Sequence, residues 1–375
     1  MERSSTRRNV CPPLVSTLVL ASFVSAASSA CTNTSNDPAP DERRSTQVDA
    51  GFPDAMKAGP GYLWFAGSQL NAFTQDQTQS SNDAGPSIIV EPSEMTGTFH
   101  DLVFDPSGNL WTVPITGDQI VRVPRVGLTN IRPFSDLTLS SPALKSPQTL
   151  AFDSAGNLWV VNYNGSGPNV ANIVRFDGVR DMPSGNPILV PSLTIGAGSD
   201  KAMIAAFTQG SALAFDKDGN LWFGGISSVM RFDSPSSLHG SVDAAPAASI
   251  STGDSYASIA FDSVGSLWIT ATSSGYYALR VANPGMLTGT APAQPAARIS
   301  LPGANALFAG GMAFDADGAL WIAMSDQIIK LSSPSSMVGN VTPGPEVVLS
   351  LPSKSYPDLA SKLAFWPSPS GLPVF

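Results

Sequence analysis

The chain has 375 residues, and only 13% of them are charged. Its 33 glycines and 32 prolines are spread along the whole length, and no heptads or long amphipathic helices are present, so the composition argues against an α-helical or a doubly wound fold. The formal net charge is −9, with no basic stripe, which argues against nucleic acid or an anionic membrane surface as a partner.

Residues 1–30 have the layout of a secretory signal peptide. A basic leader, MERSSTRRNVCPP, precedes the apolar run LVSTLVLASFVSAASSA, which ends at Ala30 and is short for a membrane span of about 20 residues. The end of this run together with Cys31, SSAC at 28–31, resembles a bacterial lipobox, with Ser28 where that family usually has Leu. We therefore predict cleavage before Cys31 and lipidation of its thiol, with simple secretion as the alternative.

The leader predicts export, to the periplasm or the cell surface as a lipoprotein, or into the medium as a secreted protein. Any contact with a membrane is expected only through the lipid on Cys31. Residues 31–52 are polar, contain proline and lack periodicity, so they are predicted to form a disordered tether. The other cysteine, Cys11, lies in the leader, so the mature domain, residues 53–375, is expected to have no disulfide.

One phrase recurs through that domain. LVFDPSGNLW at 102–111 returns as LAFDSAGNLW at 150–159, LAFDKDGNLW at 213–222, IAFDSVGSLW at 259–268 and MAFDADGALW at 312–321. A period of roughly 40–50 residues with several short strands per unit is typical of a β-propeller. All seven tryptophans are in register with the phrase: Trp64, Trp111, Trp159, Trp222, Trp268, Trp321 and Trp366.

Each unit predicts four antiparallel strands. The apolar LAF is strand A, the residues around LW are strand B, segments such as IVRF are strand C, and a Gly- and Pro-containing segment ending in an apolar run is strand D. We predict an all-β, six-bladed propeller in which the last LAF, residues 363–365, closes the first blade and hides its edge. A seven-bladed ring with a truncated last blade is the alternative.

Five aspartates recur at the same place in the phrase, so they could form either a shared catalytic or metal site or a repeated structural element. Each heads a D-x-x-G turn, where a carboxylate can accept backbone N–H bonds and glycine adopts φ > 0. DKDG and DADG resemble fragments of a calcium loop but lack its later ligands. We therefore predict turns and no metal site at Asp105, Asp153, Asp216, Asp262 and Asp315.

The phrase followed by an IVRF-like strand resembles the NHL-repeat propellers, whose relatives include the gluconolactonase/senescence-marker-protein group and the streptogramin B lyases. The resemblance covers about residues 55–375 and concerns the scaffold. It implies that ligands bind at the face formed by the B–C and D–A loops. It also implies that lactonase relatives hold a divalent metal through Glu, Asn and Asp, and that lyase relatives use a His base beside an acid and magnesium.

The residues expected at that face are mostly apolar or small, with few ionisable groups. We therefore predict a monomeric, non-catalytic binding module without metal or cofactor, which takes a protein, peptide or glycan at the channel face. No G-x-S-x-G, HExxH, phosphate-loop or Cys/His motif points to catalysis. The predicted ligand-binding residues are polar and stand near the ends of strands A and B or in the long loops: His100, Gln148, Asn162, Asn164, Gln209 and Tyr256.

The alternative is a metal-dependent hydrolase or lyase acting on lactones or cyclic depsipeptides with Ca²⁺ or Mg²⁺. It would use His100, Glu94, Asn162 and Asp254. The second histidine, His239, follows a strand C and belongs to the opposite face, so a histidine pair is excluded. Four acids assigned to loops of the functional face are expected to be solvated: Asp101, Asp118, Asp254 and Asp326.

Overall fold

The computed structural model describes residues 61–91, 97–128, 133–163, 171–196, 212–225, 228–251, 255–272, 276–292, 294–301, 310–324, 326–351 and 362–368. The expected leader, the tether and Cys31 lie outside these ranges. Within the described ranges, no helix is both long and apolar enough to cross a membrane.

The described residues are almost entirely short apolar strands separated by turns. The first eleven strands are β1 (Tyr62–Ala66), β2 (Leu70–Phe73), β3 (Ile88–Val90), β4 (Phe99–Phe104), β5 (Leu110–Pro114), β6 (Gln119–Val123), β7 (Leu137–Ser140), β8 (Pro147–Phe152), β9 (Leu158–Tyr163), β10 (Ala171–Phe176) and β11 (Leu193–Ile195). The next eight are β12 (Ala212–Phe215), β13 (Leu221–Gly224), β14 (Ser228–Phe232), β15 (Gly240–Val242), β16 (Ala248–Ser251), β17 (Ser255–Phe261), β18 (Leu267–Thr272) and β19 (Tyr276–Val281).

The last strands complete the ring. They are β20 (Gly289–Pro292), β21 (Ala297–Ser300), β22 (Met312–Phe314), β23 (Leu320–Ala323), β24 (Gln327–Leu331), β25 (Gly339–Val341), β26 (Val347–Ser350) and β27 (Lys362–Trp366). Single-turn 3₁₀ helices lie in the C–D connections, at Asp76–Gln79, Arg125–Gly127, Val179–Asp181, Pro235–Ser237, Pro284–Met286 and Pro334–Ser336.

The strands form six sheets, the blades of a propeller. Blade 1 has the order β27-β1-β2-β3, blade 2 is β4 to β7, and blades 3 to 6 begin with β8, β12, β17 and β22. These first strands, A, contact one another in turn from β4 through β8, β12, β17, β22 and β27 back to β4. The ring is therefore closed, and the predicted all-β six-bladed propeller is confirmed.

Both ends of the domain meet in blade 1. Strand β27 pairs antiparallel with β1, with Ala364 opposite Trp64, in the register that joins Ala151 to Trp159 in blade 3. Gly311 lets β27 approach blade 6, since a Cβ there would lie 2.5 Å from the Lys362 backbone. The predicted closure is confirmed, and the seven-bladed alternative is wrong because the last LAF completes blade 1 instead of starting another sheet.

The core consists of six apolar clusters, one at each interface between neighbouring blades. At every interface the strand-B tryptophan of one blade meets the strand-A phenylalanine of the next edge to face, with ring centroids 5.5–6.0 Å apart and interplanar angles of 65–73°. The pairs are Trp64–Phe104, Trp111–Phe152, Trp159–Phe215, Trp222–Phe261, Trp268–Phe314 and Trp321–Phe365.

The repeated aspartates hold the A–B turns, as predicted. In blade 3, Asp153 Oδ1 accepts the Ala155 and Asn157 amides at 3.0 and 2.9 Å, and Oδ2 accepts Asn157 Nδ2 and the Trp159 indole N–H, both at 2.9 Å. The other four aspartates accept the indole N–H of their own tryptophan at 2.9–3.0 Å. Each turn glycine has φ between 78° and 85°. The carboxylates are fully engaged in local structure.

Blade 1 departs from this pattern because its A and B strands come from opposite ends of the chain. The position equivalent to the aspartate is Trp366, whose ring stacks on Phe104 with centroids 5.3 Å apart. Neither Trp64 Nε1 nor Trp366 Nε1, both buried, has a hydrogen-bond partner among the described residues. A Cβ on Gly108 would lie 2.4 Å from the Trp366 ring, so aromatic packing takes the place of the turn at this seam.

Three of the six sheets have a fifth strand in addition to the predicted four. The segments assigned to strand D also contain a short strand that pairs in parallel with strand D of the preceding blade: β15 with β11, β20 with β16, and β25 with β21. Isolated parallel bridges repeat the arrangement at Leu137–Gly185 and Asn82–Leu349. This extra strand covers backbone groups that an outer edge would leave unpaired.

Replacing Asp153 by alanine is expected to lower the free energy of unfolding by about 3 kcal/mol or more, because it leaves a buried indole N–H and two turn amides without their charged acceptor. Urea unfolding followed by tryptophan fluorescence measures the loss. Ser154→Ala, at an exposed position of the same turn, is the control. An unchanged midpoint for Asp153→Ala, or a calcium-dependent rise in wild-type stability that this variant lacks, would contradict the turn role.

Candidate binding site at the channel mouth

The order of the strands places the candidate site. In an antiparallel blade, strand A begins where strand B ends, so the B–C and D–A loops share one face, and we call the opening there the channel mouth. The strands A line a partly open cavity of about 150 Å³ that extends from Lys362, on the side of the mouth, to Ser368, beyond the other end of β27. The cavity is lined by Leu102–Phe104, Leu213–Phe215, Ile259–Phe261, Ala313, Phe314, Lys362–Phe365 and Ser368.

The repeated phrase determines how the residues around the cavity pack. Its Leu and Phe pack into the interface with the preceding blade, as Leu150 and Phe152 do, whereas the middle residue, Ala151 in this blade, packs towards the following blade. That middle residue is alanine in five inner strands and valine in the sixth, at Val103. Small side chains at this level leave a narrow, mostly apolar space between five of the six inner strands.

Three inner strands have a β-bulge at the same position near the channel mouth: β4, β8 and β17. The first two are neighbours. Opposite β5, the register shifts between Phe99 and Asp101, which leaves His100 as the extra residue. Opposite β9, it shifts between Pro147 and Thr149, which leaves Gln148 as the extra residue. A bulge redirects a side chain out of the regular alternation of its strand, and here it brings together two residues that the sequence singled out.

His100 and Gln148 are half-buried and form one hydrogen-bonded pair. Gln148 Nε2 donates to the Ser146 carbonyl oxygen at 3.0 Å and lies 3.4 Å from His100 Nε2. A neutral ring that accepts at Nε2 carries its hydrogen on Nδ1. In this tautomer the pair has one N–H donor, His100 Nδ1, and one C=O acceptor, Gln148 Oε1, without a partner among the described residues.

Burial lowers the pKa of His100 below its usual value near 6.5, and the neighbouring Asp101 carboxylate opposes that shift only in part. The imidazole is therefore neutral at pH 7. A neutral ring is a hydrogen-bonding group at this pH and adds no charge to the channel mouth.

Asp101 is buried inside strand β4, not solvated in a loop as expected from the sequence. Its Oδ1 accepts the Leu102 amide at 2.7 Å. Its Oδ2 accepts the Leu150 amide at 2.7 Å and the Thr149 hydroxyl, which joins β4 to β8. Lys362 Nζ of β27 lies 3.8 Å from the same oxygen. Asp101 thus links the inner strands of three consecutive blades below His100.

The remaining residues predicted for ligand binding or catalysis are either buried away from this pair or not described by the structure. Asn162 lies in β9 with its side chain fully buried, donating to Ala143 O and Asn172 Oδ1, both at 2.9 Å. The structure does not bring it together with His100 and Gln148. Tyr256 belongs to β17, but its side chain lies outside the described residues. Asn164, Gln209, Glu94 and Asp254 also lie outside them.

Asp118 and Asp326 are exposed, as expected. Asp118 accepts the Ser146 amide at 2.7 Å and lies 3.4 Å from Lys145 Nζ. Among the described residues, no group of three or more His, Cys, Asp or Glu side chains is placed to hold a metal ion.

Sequence reasoning missed Lys362, although a signal was present. The residue immediately before the phrase forms a ring around the channel, and in blades 1 to 3 it is Lys362, Asp101 and Thr149, which lie together. The other half of the ring has small residues: Ala212, Ser258 and Gly311. Comparing this position across the six blades would have indicated that one half of the channel has polar side chains and the other half has small ones.

Neither a protein-family model nor a curated protein matches the chain. Solved structures share the class of fold. A Bacteroides caccae protein of unknown function is 14% identical over 79% of this chain and 100% of its own, with a TM-score of 0.49. A streptogramin B lyase is 15% identical over 70% and 87%, with a TM-score of 0.41.

A third structure, PQQ-bound aldose sugar dehydrogenase from Streptomyces coelicolor, is 15% identical over 68% of this chain and 89% of its own, with a TM-score of 0.45. These likenesses concern the propeller fold alone, because one fold supports many unrelated functions. Function has to be argued from the residues at the channel mouth.

The lowered pKa of His100 predicts a specific dependence of stability on pH. Because the folded pKa lies below the unfolded value, the stability that depends on neutral His100 is present above pH ~6.5 and is lost as the pH falls through the folded pKa. His100→Gln should therefore lose less stability than wild type between pH 7.5 and 5, as measured by melting temperature. Parallel curves for the two proteins would contradict a buried, neutral His100.

Proposed function

We propose that this protein is an exported β-propeller that binds a peptide segment of a partner protein at its channel mouth, without catalysing a reaction. The observation that carries the proposal is the pair formed by His100 and Gln148 on two adjacent bulges. Each bulge interrupts the ladder of its inner strand, and bulges are common beside functional sites.

The pair matches the chemistry of a peptide group. An amide has one C=O acceptor and one N–H donor, and His100 Nδ1 and Gln148 Oε1 supply the complementary donor and acceptor. The neighbouring cavity is apolar and narrow, which suits a side chain of such a peptide. A glycan, whose hydroxyls can also use both groups, is the second candidate ligand.

The surroundings of His100 favour binding over general-base catalysis. An imidazole that takes a proton is commonly stabilised by a carboxylate hydrogen-bonded to its other nitrogen, whereas the described partner of His100 is the Gln148 amide. The neighbouring Asp101 has both oxygens engaged by backbone amides and the Thr149 hydroxyl. The lactonase or lyase alternative would need Glu94 and Asp254, which the structure does not describe.

The binding proposal can be tested with a library of short peptides acetylated and amidated at their ends, alongside a panel of oligosaccharides, screened by NMR. We expect peptide hits whose affinity falls about ten-fold or more in His100→Ala/Gln148→Ala, the loss of two hydrogen bonds. His239→Ala, on the opposite face and exposed, should leave the affinity unchanged.

Three outcomes would overturn the proposal. Hits that ignore the double variant would place the binding site elsewhere, and oligosaccharide hits alone would favour the glycan. Hydrolysis of lactones or cyclic depsipeptides, lost with EDTA and restored by Ca²⁺ or Mg²⁺, would establish the enzyme alternative.

Export and lipidation of Cys31 are part of the proposal and are supported by the leader sequence. In cells fed a tagged palmitate analogue, the full-length protein should become labelled, and Cys31→Ala should lose the label completely. An unlabelled wild-type protein in the culture medium would instead indicate simple secretion.

A further inference from the structure

We propose that Lys362 and the cavity beneath it bind the free C-terminus of the peptide, with the carboxylate on the ammonium group and an apolar last side chain inside the cavity. This inference rests on the peptide-binding function proposed above and specifies which part of a peptide is recognised. It assigns a role to the closing strand β27, which the first proposal leaves out.

Lys362 stands at the junction between the polar mouth and the apolar channel. It is the first residue of β27, its side chain is 18% exposed, and it lines the cavity. Among the described lining residues it is the only charged one. A lysine in this position on a chain with a net charge of −9 is the one described feature of the cavity that favours an anion.

The ammonium group keeps its hydrogen-bond donors for a ligand. Its contact with Asp101 Oδ2 is 3.8 Å, too long for a hydrogen bond, and it is the one ion pair of Lys362 among the described residues. Asp101 does not depend on that contact, because two backbone amides and the Thr149 hydroxyl already donate to its oxygens. Lys362 can therefore turn towards a ligand carboxylate while Asp101 keeps all its hydrogen bonds.

The size of the cavity suits one apolar side chain. Its volume of about 150 Å³ is comparable to that of an apolar protein cavity that accepts benzene. The lining residues come from five inner strands and are apolar apart from Lys362 and Ser368. A Leu or Phe side chain fills such a space, whereas a charged side chain would be buried without partners at high cost.

The order of groups along the channel gives the direction of the peptide. Leu102 is the first residue of β4 that lines the cavity, and His100 lies two residues nearer the mouth. An apolar last side chain in the cavity therefore places its carboxylate near Lys362 and the preceding amide near His100 and Gln148. A single cation favours a singly charged carboxylate, because phosphate groups are usually bound by several donors or by arginine.

The test uses acetylated tetrapeptides ending in Leu or Phe, each made as the free acid and as the carboxamide. With wild-type protein, we expect the acids to bind about ten-fold or more tightly than the matching amides, the effect of one charge-assisted hydrogen bond. In Lys362→Met the ratio should fall to about one. Lys362→Arg should retain it, because the positive charge remains.

A matched control comes from the same face. Lys145→Met removes an exposed lysine that lies 3.4 Å from Asp118 and should leave the ratio unchanged. Because the ratio is measured within each variant, partial unfolding affects acid and amide alike.

The outcomes separate the two proposals. Equal binding of acids and amides to wild-type protein overturns the carboxylate assignment and leaves the peptide-binding proposal standing. An acid preference that persists in Lys362→Met places the carboxylate elsewhere and also overturns it. Failure of every peptide, capped or free, to bind overturns the peptide-binding function itself.

Discussion

The contact on which the structure depends is that between the strand-B tryptophan of one blade and the strand-A phenylalanine of the next. Six such contacts close a circle, and each tryptophan in them is no more than 1% exposed. An edge-to-face aromatic pair adds about 0.5–1.5 kcal/mol beyond the area it buries. Each blade buries its two faces only against its neighbours, so the blades stabilise one another as a ring. In five blades an aspartate receives the indole N–H and sets the turn before it, which joins local turn chemistry to the packing between blades.

Blade 1 shows how the ring closes when this arrangement is interrupted. Its strands A and B come from opposite ends of the domain, so no A–B turn exists and no aspartate is needed. Trp366 occupies that position and packs on Phe104 of blade 2. The same closing strand begins with Lys362, beside the buried Asp101. The candidate site therefore shares a strand with the closure and is complete only when the ring is closed.

The channel mouth owes its chemistry to side chains that differ from blade to blade at equivalent positions. The repeated phrase places Leu and Phe between blades and a small residue beside the channel, which produces an apolar cavity. Bulges at His100 and Gln148 redirect two polar side chains, and the residue just below them differs from blade to blade. A repeated scaffold thus supplies the cavity, and a few positions that differ between blades supply the polar groups beside it.

From sequence alone, the fold, the number of blades, the closure by the last LAF and the turn role of the five aspartates could be predicted, because each depends on short-range patterns copied along the chain. His100 and Gln148 could be identified as polar residues at strand ends. Their pairing, the burial of Asp101 in a strand and the approach of Lys362 could not, because these residues come from three different blades and meet only when the ring closes. Periodicity reports what every blade shares, whereas the site consists of contacts between unlike positions of neighbouring blades, which only the tertiary structure decides.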